Sequence, residues 1–526
     1  MPLASAAPTK TPDPVTLAPY RPHTEVGRGW VFAALACLSM AYGATFALLA
    51  PQMTLALGAP LVALAGLTIW ALPDTKRPPT SMLTPLLFAF QVGLILWPNY
   101  LALALPGLPW ITLLRLIGTP LGIGLLVCFS VSASFRSNVA STTRATPWLP
   151  RLLLIFVGIQ VVTLVFSSDI GHSVDWFLVT LANWTAIFFV SVYVFREPGR
   201  AELWTRLLWA CAIIVCAIGV IEHHESHVPW RDYIPSFLKI NDETVSAILI
   251  GGVRSDAGVY RVQSTFSTSL GLGEFLALTT PFVVHHGVQA RSWLVRLVAA
   301  ASIVLFAFVL VTTDSRLGMI GFGLGCLSYL LYWAVRRWRA RADSLLGPAI
   351  ALAYPAFFCA AVATTFVVHR LRARIWGNGP QASSDEGREE QLGIGIPKIL
   401  SHPWGHGAGT GAKTLGFTEL NGFVTIDNYY LSIALEYGVL GFIAFYGLFA
   451  MGAYYSTKWA FQRPTPGETG LLAPLAISLV TFIVLKSVFS QQDNHPLVFM
   501  MLGMVAALVW RLRNDPGAEQ AGGTRP

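Results

Sequence analysis

The sequence predicts an all-α integral membrane protein, a polytopic helix bundle of about 12 to 14 transmembrane helices with two long loops on the non-cytoplasmic side. Three observations carry this. Of 526 residues, 54% are hydrophobic and only 12% charged, with a mean hydropathy of +0.59, far from the roughly 25% charged of an average soluble domain. Apolar runs near the length that crosses a bilayer recur along the chain. Lysine and arginine collect in alternate connections, as they do where cytoplasmic loops fix orientation.

Residues 1–28 are rich in Pro, Ala and Thr, carry Lys10, Arg21 and Arg28, and read as a disordered cytoplasmic leader with no small-residue cleavage site. Apolar runs then begin close to residues 30, 52, 82, 111, 151, 176, 203, 269, 293, 317, 346, 429, 470 and 496. The third and the last are the shortest. This divides the chain into N-terminal transmembrane helices over 29–221, a long outer loop over 222–268, helices over 269–368, a large outer loop over 369–428, helices over 429–512 and a cytoplasmic tail over 513–526.

With the leader inside, alternation places inside the connections holding Lys76/Arg77, Arg136/Arg144, Arg196/Arg200, Arg291/Arg296, Arg336/Arg337/Arg339/Arg341, Lys458/Arg463 and Arg511/Arg513. All of them are basic, whereas the short outer connections at 98–110, 169–175 and 491–495 contain no Lys or Arg. The net charge of +8 is therefore read as topology rather than as a nucleic-acid surface. The six cysteines, Cys37, Cys128, Cys211, Cys216, Cys326 and Cys359, all lie in apolar runs with no CxxC pair, which argues against disulfides and thiolate metal sites. No internal repeat and no soluble nucleotide-binding domain is visible, so any energy source is the substrate or a gradient.

The two long outer loops are where function is expected. Arg261, Arg316, Arg370, Arg372, Arg374 and Arg388 lie outside against the positive-inside bias, Arg316 in the very short turn Thr313-Asp314-Ser315-Arg316. Guanidinium groups give two-point hydrogen bonds to phosphate oxygens, and arginines here suit a lipid-linked diphosphate; salt bridges and headgroup contacts are the bland alternative. Arg115, near the outer end of an apolar run, is read as a snorkelling anchor. Glu274, Glu436 and Lys486 are too costly to face lipid, and pairing among them is expected.

Ser432 and Glu436 are four residues apart and share a helix face, with Asp427 at the start of that helix as a natural N-cap. The stretch from His402 to Lys413 has Gly at 405, 407, 409 and 411, which frees the backbone to point N–H groups at an anion. Its end nearly matches a phosphate loop but has Ala where the second Gly belongs, and an ATP site is rejected. His223 and His227 are the one helically spaced histidine pair in a cluster that reads as a solvated loop rather than a metal site. Gly321, Gly325, Gly438 and Gly441 supply small faces for close helix packing.

These outer residues resemble the O-antigen ligase and O-antigen polymerase (Wzy-like) superfamily of polytopic bacterial glycosyltransferases. The strongest segment is His402-Pro-Trp-Gly-His-Gly-Ala-Gly, followed by Asp427-Asn-Tyr-Tyr-Leu-Ser-Ile-Ala-Leu-Glu436-Tyr-Gly-Val-Leu-Gly441, similar to the family's Gly-rich loop and the helix after it. Thr313-Asp-Ser-Arg316 is similar to its Ser-Arg turn, and Arg261-Val-Gln-Ser-Thr-Phe266 to its arginine segment before a helix. The likeness spans roughly residues 255–450. Where many relatives have His before the Asn, this chain has Asp427.

The resemblance implies a periplasm-facing enzyme of the bacterial inner membrane, both termini cytoplasmic, that transfers a glycan from a polyprenyl-diphosphate carrier to an acceptor hydroxyl with no cofactor and no metal. Arg261 and Arg316 would neutralise the departing diphosphate, with Asp427, or else His406, as the base. Arg388, His406, Lys413, Asn428 and Glu436 would contact substrate or support those that do. A polymerase of surface polysaccharide, O-antigen or exopolysaccharide, is favoured over a ligase joining O-antigen to lipid A core. Membrane lipids, a glycan acceptor and other polysaccharide assembly proteins are the expected partners, not nucleic acid. From another class, a transporter or lipid-linked glycan flippase also fits a row of helices with buried Glu274 and Lys486.

Overall fold

The computed structural model describes residues 37–40, 63–75, 77–104, 110–238, 243–250, 252–254, 259–340, 345–368, 372, 382–418, 424–462 and 467–514. The expected leader, tail and most of the first two apolar runs lie outside them, as do Arg370 and Arg374. Ala63–Pro526 forms a compact unit, and it carries the helix bundle.

Among the described residues ten helices are long and apolar enough to cross a membrane. Two further helices complete the row: Thr80–Leu96, short but apolar, and Ser269–Gln289. Every apolar run expected from residue 82 onward is thus helical. The protein is an all-α polytopic membrane protein, as its composition requires, because only internally satisfied backbone survives in lipid.

In chain order the main helices are α1 (Leu83–Leu96), α2 (Leu113–Val131), α3 (Ala133–Thr143), α4 (Trp148–Thr163), α5 (Ile170–Thr180) continuing through a π turn at Leu181–Ala186 into α6 (Ile187–Val194), and α7 (Arg200–Glu225). Then come α8 (Glu243–Ile250), α9 (Ser269–Gln289), α10 (Trp293–Thr312), α11 (Arg316–Ala340), α12 (Leu346–Val367), α13 (Ala382–Ser401), α14 (Gly411–Leu415), α15 (Tyr429–Gln462), α16 (Leu472–Lys486) and α17 (His495–Arg513). Two small antiparallel pairs, Ala102–Leu103 with Ile111–Thr112 and Gly252–Arg254 with Val259–Arg261, sit in connections.

The last apolar run, among the shortest by sequence, forms the most enclosed helix: 89% of the α17 span is buried, against 28% for α10. It lies against α6, where a β-carbon on Gly503 would come within 2.5 Å of Ser191. Small residues bring membrane helices this close. Gly321 and Gly325 do the same for α11 against α9, facing Ala277 and Pro281. Gly438 does not: at φ +68 it breaks α15 in two. Around that break α15 packs on α4 and α16, and α9 on α10, α11 and α16.

The two long loops have structure of their own. The first begins later than expected, because α7 runs to Glu225 and stops at Ser226 in the left-handed region. That stop removes the helical relation between His223 and His227; the His227 ring faces Glu225 at 4.0 Å. The large loop contains α13 and α14.

Candidate active site

Arg261 ends the second strand of its hairpin, and one buried carboxylate fixes the residues around it. Glu222, near the end of α7, accepts from the Tyr260 hydroxyl at 2.7 Å and from the backbone nitrogens of Gln263 at 3.1 Å and Ser264 at 2.6 Å. Burial, then the Glu222 charge, push the Tyr260 phenol above its ordinary value, which keeps it a donor. Held there, Arg261 donates from Nε to the Thr313 carbonyl at 3.0 Å, while Val262 donates its N–H to Thr312.

Two weak motifs distant in sequence are therefore one structural feature, because Thr313 opens the turn that leads into Arg316 and α11. Asp314 takes φ +48 in this turn, and Ser315 Oγ caps α11 by accepting from Gly318.

The start of α9 lies against the same turn, where a β-carbon on Gly273 would meet Ser315 Oγ at 3.2 Å. At the next residue Glu274 forms an ion pair with Lys486 at 2.9 Å, both wholly buried. Asn494 donates from Nδ2 to Glu274 at 3.1 Å and to the Gly271 carbonyl at 3.0 Å, Lys486 donates to the Gln491 carbonyl, and Ser267 Oγ donates to Asp493 at 2.6 Å. Burial raises the Asp493 carboxyl above the usual carboxylate range. Lys486 also lies 5.2 Å over the Tyr429 ring. This network runs from the arginine turn to the first residue of α15.

Of the expected pairing among Glu274, Glu436 and Lys486, only the first and third meet. Glu436 accepts instead from Ser432 Oγ at 3.0 Å and from the Gly409 backbone nitrogen at 3.0 Å. The glycine loop does point N–H groups at an anion, and here that anion is the protein's own carboxylate. The rest of the loop fills the break in α15: His406 and Gly407 donate to the Leu435 and Glu436 carbonyls at 2.9 and 3.0 Å, and Val439 donates to Pro403 at 2.9 Å. A broken helix inside a membrane protein needs such substitutes for its lost internal bonds.

His406 faces the Leu435 carbonyl with Nδ1 at 3.0 Å, which puts the proton on Nδ1 and leaves Nε2 as the basic nitrogen. The loop is held from its other side by Ser173, donating to Ala408 at 2.7 Å, and by His172 at 3.2 Å from the Gly409 carbonyl. Lys413 points to exposed Asp169 at 3.7 Å.

Asp427 is not the N-cap of α15. That place belongs to Asn428, whose Oδ1 accepts from Tyr430 at 2.9 Å and Leu431 at 3.3 Å, so Asn428 is occupied structurally. The Asp427 backbone N–H is held by Gln391 Oε1 of α13 at 2.9 Å. Arg388 stands one turn before Gln391 on α13, half-buried. Sequence reasoning passed over Gln391, Glu222, Asn494 and Asp493.

Arg115 donates to the Trp110 carbonyl at 3.1 Å and sits 3.9 Å from Asp175, at the mouth of a cavity of about 580 Å³ between α2 and α5. Among the described residues no cluster of three or more His, Cys, Asp or Glu could hold a metal ion.

Residues 301–446 match the family model described as O-antigen ligase. No curated protein matches the chain. The matched stretch takes in the Arg316 turn, the glycine loop, Asp427 and Glu436, and leaves out Arg261. That match supports the likeness of residues 301–446 to the O-antigen ligase (Wzy-like) superfamily of polysaccharide-assembly membrane proteins.

Proposed function

We propose that this chain is a glycosyltransferase of the bacterial inner membrane, with both termini cytoplasmic. It polymerises polyprenyl-diphosphate-linked repeat units of a surface polysaccharide at the periplasmic side. The observation that carries the reading is the 3.0 Å bond from Arg261 Nε to the Thr313 carbonyl, which joins Arg261 to the turn of Arg316 where two guanidinium groups serve one diphosphate. As the acceptor oxygen bonds to the anomeric carbon, the bond from that carbon to the diphosphate oxygen breaks and the electron pair leaves with the diphosphate. Arginines oriented beforehand stabilise that growing charge, and the hydroxyl proton goes to Asp427. The proton and charge are accounted for without a cofactor.

The test is the state of lipid-linked and surface glycans in a strain whose only copy carries Arg316→Ala at normal membrane level. Accumulated single repeat units on the carrier with loss of long chains support a polymerase. Long chains stranded on the carrier support the ligase reading in its place, and unchanged glycans overturn both.

A further inference from the structure

We propose that α13 is an interfacial helix, seated in the outer part of the bilayer leaflet at the end of the bundle where α15 begins, with a lipid-facing stripe of Leu392, Ile396 and Leu400.

From Glu390 onward its three faces separate, and exposed Glu389, one turn before Leu392 on the same side, ends the apolar stripe. Gln391 and Gly395 are buried, with Ile394, Lys398 and Ile399 beside them, against α15 and α14. Gly395 allows this contact, since a β-carbon there would lie 2.6 Å from Leu431, and Lys398 ties the helix down by donating to the Thr414 and Leu415 carbonyls at 2.8 and 3.0 Å. A second face carries Glu386, Glu390, Gly393 and Pro397, all exposed. Between the two run Leu392, Ile396 and Leu400, each four residues from the next and 37%, 49% and 73% exposed. That spacing keeps them on one side of a helix.

The occupant of the stripe follows from its height and its continuation. Gln391 bonds the backbone of Asp427, two residues before the Tyr429–Gln462 span begins, so α13 lies at the level where a membrane span meets water. Beyond Leu400 the apolar surface continues to Trp404, 51% exposed, whose ring is 6.2 Å from that of Phe166. Phe166 ends the Trp148–Phe166 span, and Ile155, Val162 and Val165 of that span are exposed in the same way, as side chains facing acyl chains are. Tryptophan at this level is characteristic of the membrane boundary, and a helix with an apolar stripe beside an acidic and small face lies in the boundary plane. Lipid on one face and the Asp427 segment on the other make α13 the element that holds the site at the membrane surface.

The inference uses the membrane-spanning character of the chain and not the proposed reaction. It is tested on the full chain in lipid nanodiscs of phosphatidylethanolamine and phosphatidylglycerol, with the six native cysteines replaced by alanine. Nitroxide labels are placed singly through Leu392→Cys, Ile396→Cys and Leu400→Cys, and through Glu390→Cys, Gly393→Cys and Pro397→Cys. Accessibility to oxygen relative to a water-soluble nickel chelate is expected to be several-fold higher at the first three than at the second three. High nickel accessibility at all six overturns the proposal by placing the stripe in water. Exclusion of both reagents from the first three overturns it by placing a second protein surface there.

Discussion

Gly405 of the loop and Gly438 of the broken helix occupy each other's side-chain space: a β-carbon on Gly405 would lie 2.7 Å from the Gly438 nitrogen, and one on Gly438 2.1 Å from the Pro403 carbonyl oxygen. Both have positive φ, +95 and +68. The glycine pattern of this loop is thus first a means of closing a helix break.

Gly438→Ala is expected to fail at assembly. An alanine held at φ +68, ψ −173, a region essentially confined to glycine, costs about 1–3 kcal/mol and the overlap about 1–3 kcal/mol more. The folded, detergent-extractable yield should fall sharply, while Gly447→Ala, whose nearest neighbour would be 3.7 Å away, should leave it at the wild-type level. Equal yields of the two variants, compared by size-exclusion chromatography, would show that the break is not required.

Lys486→Met leaves Glu274 wholly buried without its cation. The expected loss is about 3–5 kcal/mol, because an uncompensated charge remains where no water reaches it. Replacing both partners, Lys486→Met with Glu274→Leu, should recover most of that loss. Thermal unfolding of the purified protein in detergent reads the difference, and a double variant no better than the single one would contradict the pairing.

Asp427→Asn and Gln391→Ala should separate base from support. The first removes the proposed proton acceptor, and transfer should fall on the order of 10²-fold to 10⁴-fold with loss of the acid limb of the pH–rate profile. The second removes a single hydrogen bond worth about 0.5–1.5 kcal/mol, so transfer should fall up to about tenfold with the pH profile unmoved. In vitro transfer from a lipid-diphosphate donor measures both, and an Asp427→Asn enzyme of normal rate would move the base to His406.

Arg316, Glu436 and the His402–Lys413 stretch were legible as residues of interest because charges and glycines are conspicuous in so apolar a chain. Their partners were not. Glu436 was expected near Lys486 on cost alone, yet it faces Gly409; the cost of burying a carboxylate says that it needs donors and not which ones. Asp427 was expected to cap α15, and side-chain geometry alone assigned the cap to Asn428. Gln391 gave no signal, since an uncharged polar residue on a helix is unremarkable until its neighbour is known.

By itself the sequence determined the class of the fold and the positions of the helices from residue 82 onward, because lipid permits only helices or closed barrels and a run of about twenty apolar residues is read one residue at a time. The tertiary structure alone decided that Arg261 rests on the turn of Arg316, that Lys486 takes Glu274 and covers Tyr429, and that a loop completes the broken helix at Gly438. Those are contacts between segments far apart in the chain, set by how helices pack against one another, and no local pattern of residues encodes them.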